Sequence, residues 1–175
     1  MITVLTPNCK EISQESYDSM VFSLPVHQLT CSCGHSGCLS FHGRYKRRVI
    51  TKVICFLLSV CRVKCSHCGR THAILPSAIV PYARLVLSVQ VEILRNIGDP
   101  SRPPSTSVCK SSPFIDEELV RSVIRRYRCF WLEKLRSFRL SLDDIPSLVQ
   151  SCFLYYSSQF MQIRRTPNKL FLFPT

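Results

Sequence analysis

The stretch Cys65-Ser66-His67-Cys68-Gly69 constrains this chain more than any other part of it. Two thiols at this spacing, on a turn closed by glycine, form half of a tetrahedral metal site. Upstream, Cys31-Ser32-Cys33-Gly34 repeats the knuckle in a tighter form, and about thirty basic, β-prone residues separate the two. Each knuckle can supply two thiolates, and its glycine permits the positive-φ turn that aims them inward. Cys31, Cys33, Cys65 and Cys68 are therefore the expected Zn2+ ligands. Cys38, or His35 on the same loop, is an alternative to Cys31.

Charge indicates the partner. The 175 residues carry a formal net charge of +12, with 16 arginines and seven lysines. Arginine presents a planar fork that pairs bidentately with phosphate oxygens and with guanine, so nucleic acid, and DNA first, is the expected acidic partner. Eleven cysteines would suit a disulfide scaffold in a secreted chain. The opening Met1-Ile2-Thr3-Val4-Leu5-Thr6-Pro7 lacks a basic region followed by an apolar one, so a reducing cytoplasm is expected. The longest apolar run, Val53 to Val60, falls far short of the roughly twenty residues that cross a bilayer. No membrane association is expected.

Patterning predicts an α+β protein in which a small β zinc ribbon precedes a helical, helix-turn-helix-like domain. Residues 1–19 read as an N-terminal arm, either loose or opening on a strand, 20–82 as the ribbon and 83–175 as the helical domain with a basic tail. Met20 to Leu29 reads as a strand leading into the first knuckle. Cys38 to Ile50 and Val53 to Lys64 alternate as two further strands, and Thr71 to Pro76 continues the ribbon. From Leu85 to Ile97 the period becomes helical, with Leu87, Val91, Leu94 and Ile97 on one stripe and Ser88 as candidate cap. Residues 98–113 hold four prolines and six Ser or Thr, the composition of a linker. A helix then opens at Asp116-Glu117-Glu118, where the macrodipole favours anions, and a last one is expected over about Ile145 to Gln159.

Taken together, the two knuckles, His42-Gly43-Arg44-Tyr45, Thr71-His72-Ala73, Val80-Pro81-Tyr82 and the tail Phe160-Met161-Gln162-Ile163-Arg164-Arg165-Thr166-Pro167-Asn168 resemble a bacterial family. It is known only as a domain of unknown function with a zinc ribbon and a helix-turn-helix region, and it is similar to the DNA-binding N-termini of insertion-sequence transposases. The resemblance covers roughly residues 20–175. It implies a cytoplasmic, nucleoid-associated protein that binds DNA within a mobile-element system, in company with other proteins of that system. The first knuckle, Cys-x-Cys where the family pattern is Cys-x-x-Cys, departs from it.

Candidate nucleic-acid contacts follow from the runs of cations. Arg44, Lys46, Arg47 and Arg48 lie on one predicted strand, and Arg121, Arg125 and Arg128 on one helical face; Arg164 and Arg165 lie in the tail. After Glu118 the long helix has only Glu133 against six basic residues. Catalysis is not expected. Divalent-ion nuclease or transposase chemistry needs carboxylates converging on a metal, whereas the acids here stand at helix starts or in loops. Two other readings are a zinc-ribbon scaffold for protein contacts and a non-autonomous transposase fragment.

Overall fold

The computed structural model describes residues 1–6, 12–95, 112–130, 132–137 and 139. Its class is α+β, as the patterning predicts. Strands β1 (Ile2–Val4), β2 (Leu39–Ile50), β3 (Cys55–Cys65) and β4 (Thr71–Pro76) form one sheet in the order β1-β4-β3-β2. Helices are α1 (Gln14–Ser23), α2 (Leu87–Arg95), α3 (Glu117–Phe130) and α4 (Leu132–Ser137), with a single 3-10 turn at Val26–Gln28. Linker residues 98–111, the last helix expected from the sequence and the tail with Arg164 and Arg165 lie outside the described residues.

The long β2–β3 hairpin is the frame. Its antiparallel register runs from Leu39 opposite Cys65 to Ile50 opposite Cys55, broken by a bulge between Phe41 and Gly43. Gly43 has φ +113°, which L side chains rarely adopt, and takes up the extra residue there. Leu58, Val60 and Val63 of β3 are fully buried, together with Ile74 and Leu75 of β4 and Leu87, Val91 and Ile93 of α2. One hydrophobic core thus runs from Tyr17 to Leu135 and takes residues from both sides of the boundary expected at 82/83. The connection is also polar: Ile50 donates to the Arg84 carbonyl, and Val86 donates back to the Ile50 carbonyl.

The chain begins with an opening strand. Ile2, Thr3 and Val4 pair in parallel with Ile74, Leu75 and Pro76. The strand expected over Met20–Leu29 is instead the end of α1 followed by the 3-10 turn. Ser13 and Ser16 make a reciprocal capping box that starts α1, and Pro25 lies just past its end. Only Tyr17 and Val21, four residues apart, are buried on α1, so its apolar stripe is too thin to announce a helix.

Tyr17 ties this helix to the sheet. The β3–β4 ladder is in register from Lys64/Thr71 to Arg62/Ala73. At the next step the Tyr17 hydroxyl takes the place of the ladder bond, accepting from the Cys61 N–H at 2.8 Å and donating to the Ile74 carbonyl at 2.9 Å. Burial pushes the phenol up to about 12. Because the folded value lies above the ordinary value of 10, the unfolded chain loses its proton first as pH rises. The contribution of the neutral phenol is full below pH 10 and fades between about 10 and 12. Tyr17→Phe leaves the Cys61 N–H unsatisfied and should cost about 1–3 kcal/mol near neutral pH. Thermal melts should show a lower Tm at pH 8 and a smaller difference from wild type at pH 11; equal Tm values at pH 8 would remove this role.

Candidate metal centre

The two knuckles meet at the end of the hairpin where β3 finishes. The first is a closed loop. Thr30 bridges Ser36, Cys31 donates its N–H to the His35 carbonyl, and the Gly34 N–H returns to the Cys31 carbonyl, both at 2.9 Å. The second begins on Cys65, the last residue of β3, whose N–H is held by the Arg70 carbonyl at 2.9 Å. Gly69, at φ +71°, donates to the Cys65 carbonyl at 3.0 Å. A side chain there would be strained, so the glycine fixes the turn that brings Cys68 back beside Cys65.

The Sγ atoms of Cys31, Cys33, Cys65 and Cys68 all lie within 4.8 Å of one another. Cys31 and Cys68 are 3.6 Å apart, and Cys33 and Cys65 are 3.8 Å apart. A tetrahedron with metal–sulfur bonds of about 2.3 Å has edges of about 3.8 Å, so both cross-knuckle pairs are spaced as such a centre requires. The four thiols expected from the sequence are therefore brought together as one group able to hold a metal ion, with Cys31 in it and neither Cys38 nor His35. Cys38 is a fifth sulfur, 3.3 Å from Cys65. It braces the group from outside, its carbonyl accepting from the Ser66 N–H at 2.8 Å.

Polarity favours thiolates in this group. The Cys68 N–H points at the Cys65 sulfur at 3.4 Å, and this amide, first among several donors, draws the Cys65 thiol down to about 6. Cys31 is likewise lowered, first by the backbone N–H of Cys33. In each knuckle the leading cysteine receives the amide of its successor and ionises first. Thiolate is the ligand form, so these amides favour ligation before an ion arrives.

A buried histidine of β4, His72, stands next to this group. It lies opposite Val63 in the ladder and is 4% exposed, with Nε2 3.2 Å from the Cys31 sulfur. Burial foremost lowers its pKa and holds it neutral. With the proton on Nε2 it donates to Cys31, the kind of outer support that orients a ligand. The buried end of Thr71-His72-Ala73-Ile74-Leu75-Pro76 was the available signal, since an apolar run on a central strand buries what alternates with it.

The cationic candidates separate into several environments. Arg44 pairs with Asp18 at 2.6 Å on the exposed side of α1. Lys46 and Arg48 are exposed on β2. Arg47 instead donates to the Val80 and Ala83 carbonyls at 2.6 and 2.7 Å, and Arg126 of α3 reaches the Pro81 carbonyl at 3.1 Å. These two guanidiniums clamp the 80–83 loop, on which Tyr82 stands exposed at φ +62°. On α3, Arg121, Arg125 and Arg128 are exposed while Val120 and Val123 are buried, and Arg121 pairs with Glu117 at 2.7 Å.

A family model described as a domain of unknown function, DUF6431, matches residues 30–112. That span opens at the first knuckle and takes in both cysteine pairs, β2 to β4 and α2, crossing the boundary expected at 82/83. It is narrower than the resemblance drawn from the sequence over residues 20–175, and it carries no link to transposases. Comparison with curated proteins and with solved structures gave no match. Among the described residues no helix is long and apolar enough to cross a membrane.

Proposed function

We propose that this chain is a zinc-dependent DNA-binding protein, an accessory or regulatory factor of a mobile element or transposition system, with no catalytic chemistry of its own. In this reading the knuckles and β2 to β4 act as the zinc ribbon, and α2 with α3 as the helix-turn-helix-like part. Four thiolates with no open position suit Zn2+ as a structural ion, which supplies a rigid joint between the knuckles. The proteins of the same system are its proposed partners, and a bacterial cytoplasm its proposed setting.

The observation that carries the reading is the outward stripe of α3. Arg121, Arg125 and Arg128 recur at helical spacing on the face opposite the buried Val120 and Val123, so one rigid rod holds three guanidiniums toward a polyanion. Lys46 and Arg48 add to the cationic surface from β2. Four of the described carboxylates support the non-catalytic part. Asp116 caps α3 by accepting from the Leu119 N–H at 2.7 Å, and Asp18, Glu92 and Glu117 are each engaged by a cation.

Binding of the purified chain to random duplex and to element-end DNA, measured across salt, tests this. The logarithm of affinity should fall with log salt by about 0.9 for each phosphate engaged. No binding at low salt would sink the proposal. It would favour the scaffold reading, for which the specific observation is the pair Phe22 and Phe41, 93% and 58% exposed, lining one surface groove.

A further inference from the structure

We infer a second divalent-metal site on the solvent side of the cluster, formed by Cys33, His35 and His67, with Cys33 as a thiolate shared between two ions. It rests on the reading of the four-cysteine group as a metal centre. One ligand atom from each of the three residues lies within 4.8 Å of the other two. The His35 and His67 rings stack, with centroids 3.6 Å apart and planes 21° from parallel, and His35 Nδ1 is 3.6 Å from the Cys33 sulfur. His35 comes from the first knuckle and His67 from between the two cysteines of the second. The three ligands converge only because the inner group closes the knuckles on each other.

Chemistry distinguishes this arrangement from an idle pair of surface histidines. Metal–nitrogen bonds of about 2.0–2.1 Å and a metal–sulfur bond of about 2.3 Å place tetrahedral ligand atoms roughly 3.3–3.8 Å apart. The Cys33–His35 separation already meets this, and both imidazoles are exposed, so rotation about their own side-chain bonds can aim the remaining lone pair. Four thiolates around one dication leave the inner centre net negative, and Cys33 keeps lone pairs that a second dication can use. One sulfur and two imidazoles select borderline ions such as Zn2+, Co2+, Ni2+ or Cu2+ over Mg2+ or Ca2+. Three protein ligands leave a fourth position to water, so this ion exchanges readily while the inner one is enclosed.

Cobalt titration of the untagged, metal-free full chain, followed by absorption and native mass spectrometry, tests the proposal. Wild type should take up two equivalents. The first brings the intense sulfur-to-cobalt charge-transfer band of a four-thiolate site, and the second binds more weakly. His35→Ala and His67→Ala should each stop at one equivalent with the first band intact. Saturation of wild type at one equivalent with that band present, or two equivalents retained in both variants, would overturn the second site alone. Absence of the band in wild type would overturn the inner centre instead.

Discussion

Cys65→Ser and Cys68→Ser should each lower bound metal from about one inner-site ion per chain to a small fraction of that. Loss of one thiolate from a closed tetrahedral site removes the geometry that excludes competitors, and Cys65 is also the thiol most readily ionised. In a small zinc module the same change unfolds everything, since metal-binding energy of about 10–16 kcal/mol is then the folding energy. Here β3 continues from the knuckle into a core with Leu58, Val60 and Val63 fully buried. The expected result is local. Far-UV circular dichroism should stay near wild type, Tm should fall, and hydrogen exchange should accelerate at the amides of Cys31, Gly34, Cys65 and Gly69, which close the knuckles. Metal analysis showing wild-type content in both variants would refute the centre. Global unfolding would show instead that the core depends on the ion.

The double variant Arg125→Ala/Arg128→Ala should weaken DNA binding by about a hundredfold at low salt. A charge-assisted hydrogen bond contributes about 1.5–3 kcal/mol, which is tenfold or more per contact. The salt slope should drop by about two, one for each phosphate released. Tm should hold, because both side chains are exposed. Arg121 should matter less, being engaged by Glu117. Arg47→Ala is the counter-experiment: its guanidinium holds two backbone carbonyls, so it should lower Tm while leaving the slope in place. Reduced Tm with an unchanged slope in the double variant would assign those stems to the fold and remove α3 from the DNA contact.

The parts of this structure that sequence makes legible are those whose cause is local. The knuckles are legible because thiol spacing and a following glycine are properties of four or five residues. Strands β2 and β3 are legible because alternation carries their half-buried faces, and α3 because its acids and arginines segregate along and around one helix. What was not legible depends on distant partners. Ile2–Val4 is too short to declare itself, and it is a strand only because β4 offers a parallel edge seventy-two positions on, Ile2 against Ile74. Arg47 reads like its neighbours Lys46 and Arg48, and only the placement of the 80–83 loop turns it from a surface cation into a clamp. His72 reads as a knuckle histidine until the ladder puts it beneath Cys31.

The bulge at Phe41–Gly43 acts on β2 as a change of phase. On the metal side of it, Leu39 and Phe41 share a face with Cys65 and Val63; beyond it, Arg44 and Lys46 share that face with Cys61 and Ser59. In an unbroken strand that face would have carried Gly43, Tyr45, Arg47 and Val49 instead. One extra residue therefore lets a single strand obey two incompatible addresses, one written for the metal end and one for the basic end. Loss of His42 alone would keep every pair of the register and only straighten the strand, whereas a one-residue insertion or deletion elsewhere in β2 would turn one half over and set the two halves at odds about which side is inside.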